Sequence, residues 1–461
     1  MKINQIKVAS INHASQSIIW LAVFFYLDPG GYIAEFWNVR FAKNVFLVLT
    51  WSLFIYNTNF KGINRCLNDK SFQRIVVMLM IWYIYFVVVF LIIRDDYATI
   101  SLISRFVKTR HILSGWLIIF PTYYYITYGN PRIFIKIFTR LSILIAVLFL
   151  LNVFFSLELI FTHSSDRGYV SVLRHLLNGY GILEIGLYLL IATIIVPRNK
   201  LSSDRKMLII SSIGIYLIYI LSLTRRYFAY IGIASIIGYV LSNRIFKTSG
   251  TFQRKAIFVF IGLTILLGVF FQDYLFGIIE GFKTITFDET ESYGTTASRL
   301  GLFSHEPIYN MFRDNPIFGT GYINEWYTNT EGTITTNYDL SGADYVFTSS
   351  VAMFGIFGIL LFIPFYFLLF RNIKHTFKII TVNISYLKKH LNFFYPTLVL
   401  ITGTALFFLR HMITYPDWFS FIGPQSVFEK YFILLGIYYG CSRKLKLNLV
   451  RLKNNKLTNE K

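Results

Sequence analysis

Long apolar runs alternate with shorter polar connections along most of the chain. Each run is about as long as a helix that crosses the hydrocarbon core of a bilayer, which takes roughly 20 residues. The pattern predicts twelve membrane-spanning helices, of which the first two are the weakest and the seventh and eighth form a tight hairpin. The predicted spans lie near residues 11–27, 41–57, 75–93, 111–128, 141–157, 179–197, 207–223, 226–242, 256–276, 346–370, 392–409 and 427–441.

The composition excludes a soluble protein. Of the 461 residues, 55% are hydrophobic and only 15% are charged, whereas a soluble domain carries roughly 25% charged residues. The first apolar run, 11–27, has no small-residue cleavage site and is interpreted as a membrane anchor. We therefore predict an all-α polytopic membrane protein.

The distribution of charge predicts the orientation. The net charge is +21, and roughly two thirds of the basic residues fall at the two termini and in the even-numbered loops, which are retained in the cytoplasm. Nineteen of the 23 acidic residues fall on the opposite side. Both termini are therefore predicted to be cytoplasmic. Anionic lipid headgroups account for the basic face, and no nucleic acid is expected as a partner.

One long connection divides the chain into four regions. Spans one to nine occupy 1–276, spans ten to twelve occupy 346–441, and a basic, solvated cytoplasmic tail is expected over 442–461. Between them, 277–345 forms a large periplasmic or extracellular loop. Loops of this length are usually functional or disordered, and its apolar clusters favour a folded one. A short amphipathic helix is predicted over 307–313.

The signatures of soluble enzymes are missing. The chain has no dinucleotide-binding glycine pattern, no phosphate-binding P-loop, no zinc-protease motif and no CxxC pair. Its two cysteines, Cys66 and Cys441, are too few for a disulfide framework. No metal ion and no cofactor are therefore expected.

Arginines on the predicted outer side oppose the usual retention of positive charge inside and need a compensating partner. A lipid phosphate or a nearby carboxylate could supply it for any one of them. As a set they favour a bound pyrophosphate, because guanidinium groups match paired phosphate oxygens. The candidate pyrophosphate-binding residues are Arg225, Arg226, Arg299, Arg313 and Arg410.

Candidate acids and bases are few. Glu184 lies within span six near its outer end, where a carboxylate is either functional or simply hydrated or paired with an arginine. Glu306 and His305 follow Arg299 in the outer loop and could exchange protons with a substrate. Asp273 and Glu280, at the end of span nine, are better explained as interface residues.

Several short motifs follow one another in a recognisable order. Ser298-Arg299-Leu-Gly-Leu-Phe precedes Pro316-Ile-Phe-Gly-Thr-Gly321, and Asp344 then precedes Gly355-Ile-Phe-Gly358. This order resembles the outer loop and following helix of the O-antigen polymerase and O-antigen ligase superfamily. Leu-Ser-Leu-Thr-Arg225 is similar to a Ser-Arg pair at the start of an earlier span of that family.

The resemblance implies a glycosyltransferase similar to the GT-C enzymes. Such an enzyme transfers a glycan from a polyprenyl-pyrophosphate donor to a sugar hydroxyl on the outer face, without metal. Arg225 and Arg299 would then hold the pyrophosphate, with Arg313 or Arg410 in support. The expected partners are the lipid-linked oligosaccharide, membrane lipids, a chain-length regulator and a flippase.

A base must also take the proton of the acceptor hydroxyl. Asp344 is the first candidate for it, with Glu306 and Glu184 behind. Aromatic side chains at Tyr293, Trp326 and Tyr327 could stack on sugars, although an interfacial aromatic belt explains them equally well.

Three functions remain open. Ligases of the family have His-Asn where this chain has Asp344-Tyr345, which favours a repeat-unit polymerase of a bacterial inner (plasma) membrane over a ligase. A lipid-linked oligosaccharide flippase is the alternative of another class. It would have little use for the loop 277–345 and would be expected to show two similar halves, and no strong internal repeat is found.

Overall fold

The chain folds into helices throughout the part that the structure describes. The computed structural model describes residues 12–27, 39–88, 103, 114–155, 181–196, 225–246, 316–319, 346–413 and 429–459. No strand occurs in these residues. Predicted spans seven and nine, and the loop 277–345 apart from 316–319, lie outside them.

Most of the described predicted spans correspond to a helix. The boundaries agree best for the predicted spans 11–27, 41–57, 179–197 and 226–242, where the apolar runs end at polar residues, glycine or proline. The helix that matches 141–157 begins ten residues earlier, and those that match 346–370 and 427–441 continue well beyond these spans. The helices are α1 (His13–Leu27), α2 (Val39–Thr58), α3 (Gly62–Leu67), α4 (Lys70–Tyr85), α5 (Ile119–Tyr128), α6 (Pro131–Phe155), α7 (Gly181–Ile195), α8 (Arg225–Leu241), α9 (Val346–Val382), α10 (Ile384–Lys389), α11 (Leu391–Ile413) and α12 (Glu429–Asn459).

Three stretches of these helices are long and apolar enough to cross a membrane. They are Lys70–Val88, Phe354–Val382 and Leu391–Ile413, and four shorter apolar helices accompany them. The chain is therefore a helical protein suited to a membrane, because its apolar helices match the thickness of the hydrocarbon core.

Helices α5 and α12 pack closely, and two glycines permit this contact. A Cβ atom at Gly436 would lie 2.0 Å from the Thr122 hydroxyl oxygen, and one at Gly440 would lie 2.8 Å from the Tyr123 carbonyl oxygen. Glycines four residues apart let two helix backbones approach in a membrane protein, where packing replaces the hydrophobic effect. The contacts advance along both helices together, from Gly436 with Thr122 to Gly440 with Tyr123, so the two helices run in the same direction.

The end of the chain differs from the solvated tail that the charge pattern predicts. Helix α12 continues to Asn459, and one face of it stays buried through Cys441, Leu445 and Leu449. Over 442–449 the helix is therefore not fully solvated, because apolar residues recur at helical spacing between the basic ones. Lys444 also contributes, since its ammonium donates hydrogen bonds to the carbonyls of Thr127 and Gly129 at the end of α5.

A glycine substitution tests the α5–α12 contact. We expect Gly436→Ala to lower the free energy of unfolding by about 1–3 kcal/mol, because the added methyl group overlaps Thr122. Gly232→Ala in α8 is the matched control, since no atom of the described residues lies within 4 Å of its Cβ position. Thermal unfolding in detergent measures both, and equal changes in Tm would contradict the packing described.

The pH dependence of stability tests the burial of Lys444. Burial lowers the pKa of Lys444 from 10.5 to about 8, so the unfolded chain holds this proton more tightly than the folded protein does. Burial of the charged ammonium lowers the free energy of unfolding by its whole amount below pH 8, and this destabilisation decreases as the pH rises toward 10.5. Relative to Lys444→Met, the wild type should therefore gain stability across that range. A constant difference would show that Lys444 is solvated.

Candidate functional site

Three helix ends meet at one end of the bundle. Helices α7 and α11 are antiparallel, because the Tyr395 hydroxyl near the start of α11 donates to the Thr193 carbonyl near the end of α7 at 3.5 Å. They approach closely at Gly403, whose Cβ position lies 3.1 Å from the Tyr188 carbonyl oxygen. The start of α7, the end of α11 and the start of α12 therefore lie together.

A buried ion cluster occupies this junction. One carboxylate oxygen of Glu184 accepts from the Arg410 guanidinium at 2.6 Å, and the other accepts from the Lys430 ammonium. Arg410 is 1% exposed, Glu184 7% and Lys430 9%. Removing a charge from water costs several kcal/mol, so these groups depend on one another for compensation. We call Glu184, Arg410 and Lys430 the ion cluster.

Aromatic side chains surround the ion cluster. The Arg410 Nε donates to the Tyr188 hydroxyl at 2.8 Å, and its guanidinium carbon lies 5.3 Å from the centre of the Phe407 ring. The Lys430 ammonium lies 5.4 Å from the centre of the Tyr431 ring. Such cation–π contacts compensate further for lost hydration. The Tyr431 hydroxyl is also 3.5 Å from His411 Nδ1, so a titratable imidazole lies beside the cations.

A second buried carboxylate lies next to the ion cluster in the sequence. Glu429 precedes Lys430 at the start of α12 and is 1% exposed. It interacts electrostatically with the tyrosines Tyr26 and Tyr83, which belong to α1 and α4. The polar junction thus draws on five helices, and it holds both acidic and basic side chains in a region from which water is largely excluded.

Helix dipoles favour this distribution of charge. Glu184 and Glu429 lie in the first turns of α7 and α12, where the partial positive charge of a helix N-terminus stabilises an anion. Arg410 and His411 lie in the last turn of α11, where the partial negative charge stabilises a cation. These four residues therefore lie at the favourable ends of their helices, whereas Lys430, in the first turn of α12, depends on Glu184 for compensation.

The backbone of α8 brings another predicted residue to the same end. Gly238, late in α8, lies against Ile195 at the end of α7, so the two helices run in the same direction. Helix α8 begins at Arg225, and its first turn, with Arg226, therefore lies at the end of the bundle where α7 begins. The side chains of these two arginines lie outside the described part.

The structure brings together two of the glycine motifs. The amide of Ile356 donates to the Pro316 carbonyl at 2.9 Å, and that of Phe357 donates to the Ile317 carbonyl at 3.0 Å. Gly355 has φ +62°, and a Cβ atom there would lie 2.4 Å from the Gly319 nitrogen. Only glycine fits this kink in α9. The turn at 316–319 therefore packs against α9 at Gly355.

The predicted site residues divide into two groups. Glu184 and Arg410 are brought into direct contact, which is the arginine pairing that the sequence left open for Glu184. The remaining candidates lie outside the described residues: Arg299, Arg313, Glu306, Asp344, His305, Asp273, Glu280, Tyr293, Trp326, Tyr327 and the predicted helix 307–313.

Sequence reasoning missed Lys430, Glu429 and Tyr188. The adjacent charges at 429–430, placed at the start of an apolar run, were a signal for the first two. Tyr188 follows Glu184 by one helical turn, so the two side chains share a face of α7. Nothing in the sequence indicates that Arg410 contacts both Glu184 and Tyr188.

No protein-family model matches the chain, and no curated protein shows significant similarity to it. Its function has to be inferred from its residues and their geometry.

A double-mutant cycle tests the charge compensation in the ion cluster. We expect Glu184→Gln to destabilise the protein by about 3–5 kcal/mol, because it leaves two buried cations without their carboxylate. Adding Lys430→Gln removes one of these cations and should recover at least about 1 kcal/mol. Thermal unfolding of the wild type, both single variants and the double variant gives the coupling free energy between the two residues.

The control for this cycle is Lys136→Gln, an exposed residue of α6, which should show no coupling to Glu184→Gln. Strictly additive effects of Glu184→Gln and Lys430→Gln would contradict the compensation.

Proposed function

We propose that the chain is a polysaccharide repeat-unit polymerase, of the O-antigen or capsule type, in a bacterial inner (plasma) membrane. It would transfer a glycan from a polyprenyl-pyrophosphate donor to a sugar hydroxyl of a lipid-linked acceptor on the outer face. The proposed topology has twelve spans, both termini in the cytoplasm, and the loop 277–345 outside, in an arrangement similar to GT-C glycosyltransferases.

The relative directions of the helices support this topology. In a twelve-span arrangement with an internal N-terminus, α7 and α12 begin on the outer face and α11 ends there. The contacts of Glu184 with Arg410 and Lys430 require these three ends to lie on one side. The turn at 316–319, which packs on Gly355, keeps part of the outer loop at the start of α9.

The ion cluster is the observation that carries the proposal. Charged groups inside a membrane protein are costly and usually mark a substrate site or pathway. Here a guanidinium, an ammonium, two carboxylates and an imidazole lie within one region between helix ends. A pyrophosphate needs such cations, and Arg225 at the start of α8 lies at the same end of the bundle.

The proposed reaction breaks the bond between the anomeric carbon and a pyrophosphate oxygen. A new bond forms from that carbon to the acceptor oxygen, and polyprenyl pyrophosphate leaves with the bonding electrons. Cations that bind the leaving group stabilise its negative charge in the transition state. Arg225, Arg226 and Arg299 are proposed for direct contact, with Arg313 and Arg410 in support.

The acceptor proton needs a base. Asp344 is proposed first and Glu306 second. Glu184 is better suited to positioning, because both of its carboxylate oxygens already accept from cations. It would hold Arg410 and Lys430 side by side near the leaving group. The energy for transfer comes from the lipid-linked bond itself, so the proposal includes no metal ion or cofactor.

Proposed partners follow from the reaction. The donor and acceptor are lipid-linked oligosaccharides, a flippase would deliver them to the outer face, and a chain-length regulator would limit the product. The surrounding membrane lipids complete the set, and no nucleic acid is proposed.

Complementation tests the proposal. A bacterial strain that lacks this chain would receive the wild type, Arg225→Ala, Arg299→Ala or Asp344→Asn, with Arg140→Ala, an exposed arginine of α6, as control. We expect the wild type and the control to restore a ladder of polysaccharide lengths on a gel. The other variants should leave single repeat units on the cell surface at equal membrane levels, because delivery continues while transfer fails.

Two outcomes would overturn the proposal. Full ladders from all three site variants would show that the arginines do not hold a pyrophosphate and that Asp344 is not the base. Single repeat units trapped inside the cell would indicate a flippase instead of a polymerase.

A further inference from the structure

One face of α9 changes from apolar to basic along its length. Ile356, Leu360, Ile363 and Phe367 are each about half exposed or more, and their spacing of three or four residues places them in one stripe. Large apolar side chains exposed in such a stripe face lipid in a membrane protein. The stripe extends for about 16 Å at the usual helical rise, close to the ~15 Å of one leaflet's hydrocarbon.

The same face continues with basic residues. Arg371, Lys374 and Lys378 follow at the same spacing and are exposed, with His375 beside them. Because α9 remains helical to Val382, these cations extend from the apolar stripe at the depth where lipid headgroups begin.

Helix α12 adds a cation, Lys446, to this basic surface. The hydroxyls of Thr376 and Ser442 lie 3.3 Å apart, so α12 packs on the buried face of α9 at the level of these basic residues. Lys446, Lys378 and Arg371 all act electrostatically on His375. Cations from two helices therefore converge on one position.

Acidic side chains compensate little of this charge. Residues 346–413 contain no aspartate or glutamate, and neither do residues 430–459. Burial lowers the pKa of Lys446. The negative charge of Asp69 raises this pKa, and the positive charge of Arg443 lowers it. The attraction of Asp69 on Lys446 is larger than the repulsion by Arg443, whereas the groups that act electrostatically on His375 are all cations. An anionic ligand would offset the positive charge around His375.

We infer that the basic surface formed by α9 and α12 binds an anionic phospholipid. Arg371, Lys378 and Lys446 contact its phosphate, and one acyl chain lies along the stripe from Phe367 to Ile356. Basic groups at the end of apolar helices bind such headgroups in membrane proteins. The apolar stripe favours a lipid over free phosphate, which would use the cations alone. This inference is independent of the proposed function.

A lipid titration tests the site. The protein, purified and delipidated in detergent, would be titrated with dioleoylphosphatidylglycerol, dioleoylphosphatidylcholine or inorganic phosphate while Tm is recorded. We expect phosphatidylglycerol alone to raise Tm, because a ligand that binds the folded state stabilises it. In Arg371→Gln/Lys378→Gln/Lys446→Gln its apparent affinity should fall on the order of 100-fold, at about fivefold for each of the three cations lost.

Two further variants make the test specific. Lys136→Gln/Arg140→Gln/Lys389→Gln removes the same number of exposed charges elsewhere and should keep the wild-type affinity. Arg371→Gln/Lys374→Gln/Lys378→Gln changes only exposed residues of α9, so it should fold normally and still lose affinity. Equal losses in the control and the site variants would overturn the inference. An equal Tm rise with phosphatidylcholine or inorganic phosphate would also overturn it.

Discussion

The contact of Glu184 with both Arg410 and Lys430 is the constraint on which the end of the bundle where α7 and α12 begin depends. A charge at this depth is tolerated only with an opposite charge in contact. The starts of α7 and α12 and the end of α11 must therefore remain together. Helix dipoles favour the same arrangement, since the anion lies at an N-terminus and Arg410 at a C-terminus.

Close backbone contacts hold the rest of the bundle in register with this cluster. Gly403 lets α11 approach α7 one helical turn beyond Glu184, and Gly436 lets α12 approach α5 two turns beyond Lys430. At the opposite end, Lys444 caps α5. A single helix, α12, therefore joins the polar site at one end to a basic surface at the other.

Apolar run length predicted the helical class and most of the described helices, because a span must satisfy its backbone within itself. Glu184 and Arg410 were found as unusual charges for their depth. The contact of Glu184 with Lys430 was not predicted, because hydrophobic periodicity shows which face of a helix is apolar and leaves open which helix covers it. The continuation of α12 to Asn459 was missed because its charge count concealed the buried face of Leu445 and Leu449.

The most direct measurement is transfer by the purified protein in liposomes, with lipid-linked repeat units supplied on both faces and with chelator in place of metal and nucleotide. A polymerase should lengthen the glycan and release one polyprenyl pyrophosphate for each bond formed, and Arg225→Ala should abolish both. Unchanged glycan length, with repeat units moved across the bilayer, would contradict the account and indicate a flippase.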